Sequence, residues 1–158
     1  MTRIVYRLIK ERFSDTPLST EGARRFGGRW NPVGVGILYT SASPELALLE
    51  QLVHLRTLPF EDLPRLMLLT VALPAEPRIM TADELPATWR DEADFSVNHQ
   101  FLADWLAQPD VLAVGVPSAV VAESYNYLLH SLHPAFKRIE VVRTSVFSVD
   151  PRLWQHTI

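Results

Sequence analysis

The sequence predicts an α+β domain built on a curved mixed sheet flanked by a few helices. Three observations predict it. Short runs rich in Val, Ile, Tyr and Leu recur along the whole chain, only two or three segments carry a helical apolar period, and the two kinds of element do not alternate. A doubly wound fold would need that alternation. The chain has 158 residues, 47% of them hydrophobic, which is the size of one domain able to bury roughly 70% of its unfolded surface. Its 12 prolines are spread as punctuation and no period repeats, so residues 1–158 read as one domain.

In chain order, Ile4 to Ile9 alternates as a first strand that carries Tyr6 and Arg7, and Asp15 to Pro32 reads as a long loop rich in glycine and arginine. Loops of that length inside a compact domain usually serve function. Asn31-Pro32-Val33-Gly34 suits a type I turn, with asparagine first, proline second and glycine fourth. The turn leads into a strand over Ile37 to Ser41. Ser43-Pro44 then supplies an N-cap followed by proline in the first helical position, opening a helix to about Arg56. Leu66 to Leu73 and Arg78 to Met80 read as buried strands, Asn98 to Ala107 as an amphipathic helix, Val111 to Val116 as another strand, and Ile139 to Val149 as a β-rich tail.

Composition removes several function classes. Cysteine is absent and the five histidines are scattered, so disulfides, thiolate zinc sites and cysteine nucleophiles are excluded, no metal site is expected, and a reducing compartment fits. The net charge is −3 with 15 basic and 18 acidic residues interspersed, which leaves no basic stripe for direct nucleic-acid binding. The N-terminus lacks the apolar segment of a signal peptide, and no apolar run approaches the roughly 20 residues of a membrane span. A soluble cytoplasmic protein is expected.

Gly27-Gly28-Arg29-Trp30-Asn31-Pro32, with the strand and helix that follow it, concentrates the chemistry-bearing residues. Arg29 stands beside glycines, where backbone approaches a ligand closely and a planar guanidinium holds phosphate oxygens; a surface arginine is the plain alternative. Tyr39 shares a strand face with Ile37 and Ser41, and is either core or a stacking plate for a flat cationic ring. On the helix, Glu45 and Arg56 mark the solvent edge, whereas Glu50 lies off that edge, flanked by Leu46 and Val53 at helical spacing and directed toward the protein body. It is either a partner for some arginine or a carboxylate in a polar cleft. Ser118 ends a hydrophobic strand without a nucleophile elbow or histidine-acid partners, and reads as a ligand contact, a support for Glu50, or a strand-end cap. Asn126 lies in Glu123-Ser124-Tyr125-Asn126-Tyr127-Leu128-Leu129.

Taken in order, Tyr6-Arg7, Gly28-Arg29-Trp30-Asn31-Pro32, Leu38-Tyr39-Thr40-Ser41, Ala47-Leu48-Leu49-Glu50, Val116-Pro117-Ser118, Asn126 and Asp150-Pro151-Arg152-Leu153-Trp154 resemble the RES domain. This family supplies the toxins of RES/Xre bacterial toxin–antitoxin systems. The resemblance implies a fold similar to ADP-ribosyltransferase toxins, and an enzyme that acts on NAD+ as substrate with no further cofactor. It implies Arg29, Tyr39, Glu50 and Ser118 as the active-site set, with Arg7 and Asn126 as supports. It also implies a helix-turn-helix antitoxin of Xre type, for which the Arg24, Arg25 and Arg29 loop is the expected docking rim. The chain departs where relatives commonly continue into Asn-Pro: it has His130-Ser131 before Leu132-His133-Pro134, so the loop near Asn126 is expected to differ.

Nicotinamide in NAD+ is already a cationic leaving group, so one carboxylate suffices for cleavage, unlike ordinary glycosides with their carboxylate pair. The expected function is therefore a toxin that breaks the nicotinamide–ribose bond by hydrolysis or phosphorolysis and depletes NAD+. The alternatives are a protein ADP-ribosyltransferase and a catalytically silent antitoxin-binding module.

Overall fold

The structure, a computed structural model, describes residues 3–154; Met1 and Thr2, which begin the N-terminal reading, lie outside the described residues. Strands β1 (Arg3–Lys10), β2 (Ile37–Ser41), β3 (Leu66–Leu73), β4 (Arg78–Ile79), β5 (Ala113–Pro117), β6 (Tyr125–His130) and β7 (Glu140–Phe147) form one sheet in the order β4-β5-β6-β2-β1-β3-β7. Helices α1 (Glu21–Phe26), α2 (Pro44–Leu55), α3 (Ser96–Phe101) and α4 (Ala103–Ala107) flank it. Only the β4–β5 pair is parallel and every other pair is antiparallel. The sheet is thus mixed, and the α+β expectation holds.

Both faces of the central strands are covered, which is why β2 and β6 read as apolar in consecutive positions. On β2, Ile37 and Leu38 point to opposite faces. Leu38 joins Val5, Leu69, Val71 and Leu129 in one cluster. Ile37 joins Trp30, Trp89, Trp105, Val114 and Leu128 in another, beneath α3 and α4. A third cluster of Leu8, Ala47, Leu55, Leu66 and Trp154 seats α2 on β1 and β3. The Ser43 hydroxyl caps α2 by accepting the Leu46 N–H at 3.1 Å, and Pro44 follows in the first helical turn.

Several elements depart from expectation. β6, not assigned as a strand from the sequence, lies between β5 and β2 in the middle of the sheet. The Asp15 to Pro32 loop contains α1. The expected helix over Asn98 to Ala107 is instead α3 and α4, parted at Leu102, whose φ −97 and ψ 11 leave the helical region. Arg78–Ile79 is a short strand at the sheet edge, and Ile79 is 40% exposed there rather than buried. On α2 the inward side is Leu46, Ala47 and Leu55, while Val53 faces solvent.

The turn before β2 is shifted by one residue. Pro32 O accepts from Val35 N at 3.4 Å, and Gly34 takes φ +100 at the third turn position, the pattern of a type II turn. Asn31 is not a turn opener because its side chain is fully buried, donating to the carbonyls of Ala23, Pro32 and Val35 and accepting from Tyr39.

One irregularity of the sheet positions the site. β1 pairs with β3 along its whole length, but its register with β2 is confined to Tyr6 opposite Ser41. Backbone groups left between the two strands need other partners. Two side chains supply them: Arg7 Nη1 donates to Tyr39 O at 2.8 Å, and Gln51 Nε2 donates to Leu8 O at 3.1 Å.

Candidate active site

A cleft opens where β1 and β2 part, lined by Tyr6, Arg7, Tyr39, Ser41, Glu50 and Asn126 among others. Glu50 stands half-buried in the middle of α2. Its Oε1 accepts from Ser118 Oγ at 2.5 Å and from Asn126 Nδ2 at 2.8 Å. No protein donor among the described residues reaches Oε2, so one carboxylate oxygen is clamped and the other is free of protein donors.

The clamp is directional at both ends. Ser118, itself fully buried, accepts the N–H groups of Val120 at 3.0 Å and Val121 at 3.1 Å. Its two lone pairs are thereby engaged, and its single proton is committed to Glu50. Asn126 accepts the Ser41 hydroxyl on Oδ1 at 2.8 Å, which fixes its amide so that Nδ2 meets the carboxylate. A chain Ser41, Asn126, Glu50, Ser118 therefore spans β2, β6, α2 and the end of β5.

Across the cleft, Arg7 is a half-buried cation without a carboxylate partner among the described residues. Beyond its bond to Tyr39 O, its Nε is enclosed and unpaired. Burial lowers this guanidinium to about 10, so it stays charged at neutral pH. An enclosed cation facing a cleft suits an anionic ligand.

Tyr39 lines the same cleft with its ring, but its hydroxyl belongs to the preceding loop. It donates to Asn31 Oδ1 at 2.6 Å and accepts from Trp30 N at 3.2 Å. Burial raises the phenol well above its ordinary value, the bonds from Trp30 and Asn31 and the Arg29 charge opposing it only in part. Gly28 is required beside it, since a Cβ there would stand 2.8 Å from the Tyr39 oxygen and 3.0 Å from Asn31 Oδ1.

The family model of the RES domain matches residues 4–151. The chain belongs to the RES domain family. It is 34% identical over 142 residues, 86% of each chain, to a protein named "Prs ADP-ribosylating toxin" from Sphingobium sp. (strain YBL2). It is 31% identical over 152 residues, 95% of this chain and 96% of the relative, to "Toxin Res" of Photorhabdus laumondii subsp. laumondii. A "Toxin Res" of Pseudomonas putida is 34% identical over 140 residues, 87% of this chain and 92% of the relative.

In this RES domain, Glu50, Asn126, Arg7 and Tyr39 thus line one cleft, and Ser118 lies buried behind Glu50, bonded to it but not among the lining residues. Arg29 is not among the residues lining it. Its Nη1 donates to Trp89 O at 2.9 Å and Asp91 O at 3.1 Å, and its guanidinium lies 4.9 Å from the centre of the Phe95 ring. Arg29 therefore fastens the glycine loop to the segment that precedes α3.

His130 closes β6 fully buried. Its Nδ1 accepts Leu132 N at 3.2 Å and its Nε2 meets Leu106 O at 2.9 Å, so the ring is neutral with the proton on Nε2. Burial lowers its pKa. The ring is held in the core, and Asn126, at the other end of β6, donates to Glu50.

Sequence reasoning gave no role to Ser41, Gln51 or His99. Ser41 and Gln51 carried a signal, since each adjoins a singled-out stretch, but their jobs depend on where β1 and β2 part. No helix is long and apolar enough to cross a membrane among the described residues.

Proposed function

We propose that this RES domain is a bacterial toxin that cleaves NAD+ at the nicotinamide–ribose bond, on a fold like that of ADP-ribosyltransferase toxins, and acts in the cytoplasm. The observation that carries the reading is Glu50, held on Oε1 by Ser118 and Asn126 with Oε2 turned to a cleft that also holds an unpaired cation. A ribose hydroxyl bonds Oε2, and the fixed negative charge stabilises the oxocarbenium-like centre that forms as the glycosidic bond lengthens. The electron pair of that bond passes to the nicotinamide nitrogen and cancels its positive charge. An acceptor then adds at the ribose carbon and loses its proton.

The enclosed part of the cleft is about 90 Å³, well below the roughly 300–1,000 Å³ of pockets that enclose a whole drug-sized ligand. Only the reacting end of the dinucleotide fits within it, the nicotinamide against the Tyr39 ring. The remainder lies on the open surface, its phosphates drawn by Arg7 and Arg29. Incubating the pure protein with NAD+ and following nicotinamide release, with a folded Glu50→Gln control, tests the reading. Full activity in the variant refutes the role of Glu50.

A second reading, transfer of ADP-ribose to a protein, is favoured by the relative named "Prs ADP-ribosylating toxin". Both readings break the same bond and differ in the acceptor. Phosphate dependence of the product separates phosphorolysis from hydrolysis, while label from NAD+ on lysate protein marks transfer. Activity of either kind excludes the silent module.

As a toxin of this family the protein is expected to be held by an Xre-type helix-turn-helix antitoxin covering the cleft. On α1, Arg24 is paired with Glu21 at 2.7 Å. Exposed Arg25 has no such pair among the described residues and is the better docking cation.

A further inference from the structure

The crossover from β4 to β5 contains a segment, residues 89–99, that touches two walls of the site. Trp89 stacks on Trp30 with ring centres 6.1 Å apart. The Trp89 carbonyl accepts from Arg29 Nη1 at 2.9 Å and from buried Asn98 Nδ2 at 2.9 Å. Arg90 Nη2 donates to Ala119 O at 2.7 Å, next to Ser118. His99 Nε2 lies 2.7 Å from the carbonyl oxygen of Gly28.

That last contact is chemically one-sided. A carbonyl oxygen only accepts, so His99 must carry its proton on Nε2 and donate it. The acceptor belongs to the Gly28–Arg29 peptide, flanked by Gly27 at φ +71, a stretch with no Cβ at two successive positions to hold its orientation. In a planar trans peptide the N–H points opposite to the C=O. Fixing Gly28 O toward His99 therefore turns the Arg29 N–H away from it. The Gly28 and Trp30 amides are taken by Asn31 O and the Tyr39 hydroxyl. Among the described residues none accepts from the Arg29 amide or from its Nη2, leaving a backbone donor beside a guanidinium nitrogen that is also without a protein acceptor.

We infer that His99 is a positioning residue for the pyrophosphate of the dinucleotide: by holding the Gly28 carbonyl it presents the Arg29 amide, together with the Arg29 side chain, to the phosphate oxygens. The inference rests on the NAD+ reading above. Histidine serves here as an Nε2 donor that reaches across from α3, and a glutamine, whose terminal amide donates at similar reach, can replace it.

The test compares wild type, His99→Leu and His99→Gln by calorimetric titration with ADP, which carries the pyrophosphate without the nicotinamide, and with nicotinamide as inhibitor of NAD+ cleavage. His99→Leu is expected to weaken ADP binding and raise the KM for NAD+ by about tenfold, the worth of one hydrogen bond of roughly average strength. Nicotinamide inhibition and kcat should be unchanged, because the lost contact serves ground and transition state alike. His99→Gln should restore ADP affinity to within about threefold. Unchanged ADP affinity in His99→Leu, an equal loss for nicotinamide, or failure of the glutamine to restore binding in a folded protein overturns the role of His99 alone. A wild-type protein that binds no ADP overturns the NAD+ reading and this inference with it.

Discussion

Replacing Ser118 with alanine is the sharpest probe of the clamp, because its effects on stability and on activity have separate structural origins. The hydroxyl makes three hydrogen bonds, one donated to Glu50 and two accepted from Val120 and Val121. Val120 lies at the surface and Val121 is half-buried, so the freed N–H of Val120 turns to water while that of Val121 loses its acceptor at a smaller cost. The main loss is the bond to the carboxylate, worth about 1.5–3 kcal/mol as a hydrogen bond to a charged group. At roughly 2–4 °C per kcal/mol for a chain of this size, Ser118→Ala should melt about 3–12 °C below wild type. Glu50 keeps Asn126 but can now rotate about that single contact. Ser118 acts on the reaction only through Glu50, so kcat for nicotinamide release should fall about 10- to 100-fold, less than the roughly 100- to 1000-fold for losing a group that stabilises the transition state directly. KM should move little. The deciding measurement is the double-mutant cycle with Glu50→Gln. Once the negative charge is gone there is no field left for Ser118 to aim, even though the glutamine oxygen still accepts its hydroxyl, and Ser118→Ala should cost no further rate. An equal rate loss in both backgrounds would refute the clamp and place the hydroxyl on the substrate itself.

Other substitutions read the remaining contacts. Gly28→Ala drives a methyl against the Tyr39 oxygen at 2.8 Å; thermal melts should drop by several degrees and the KM for NAD+ should rise, and an unaltered melt would show that the loop yields freely. Arg7→Met removes a half-buried cation with an enclosed, unpaired Nε, along with one bond to Tyr39 O. Stability should stay within about 1 kcal/mol of wild type because the desolvation relieved offsets the bond lost, while NAD+ binding weakens at least tenfold, and a large stability loss with intact binding would contradict this. Exchanging exposed Arg25 for glutamate should weaken capture of a cognate antitoxin without altering NAD+ turnover, and unchanged affinity in pull-down titrations would remove α1 from the interface. For His130, burial keeps the ring neutral, so its folded pKa lies below that of the unfolded chain. The unfolded state takes up the proton first as pH falls below about 6.5, and stability is lost on acidification by up to about 1.4 kcal/mol per pH unit. His130→Gln should flatten urea-denaturation midpoints between pH 6.5 and 5, and parallel pH profiles for the two proteins would count against the assignment.

How much of this was legible in the sequence depends on whether the information was local. β1, β2, β3 and α2 were readable because each is specified by its own residues: alternating apolar runs for the strands, and a Ser-Pro start for the helix that the Ser43 cap bond now accounts for. β6 was missed because Tyr125-Asn126-Tyr127 looks polar and aromatic in isolation. It becomes a central strand only when Leu128 and Leu129 are seen to supply opposite faces of a doubly covered sheet. The single helix expected over Asn98 to Ala107 failed for the converse reason, since a good apolar period says nothing about the backbone turn at Leu102 that lets α3 and α4 cover the sheet separately.

For the candidate site the division is more instructive. Periodicity left Glu50 open between an arginine's partner and a carboxylate in a polar cleft, and the structure gives it a serine and an asparagine, two neutral donors that fix its direction without cancelling its charge. That choice matters chemically, because an arginine on the same oxygen would neutralise the field a cationic transition state needs. The two arginines are placed differently from the reading of the sequence: Arg29, among glycines, holds two carbonyls and lies over an aromatic ring outside the cleft lining, while Arg7, expected only as a support, lines the cleft itself. No local pattern encodes that placement. It follows from the parting of β1 and β2 beyond Tyr6 and Ser41, which turns one strand residue from a ladder neighbour into the wall of a cavity. The same parting leaves the cation that bonds the strand's carbonyl at Tyr39 without a carboxylate partner among the described residues, which is what the proposed reaction asks of a group meant for an anionic substrate.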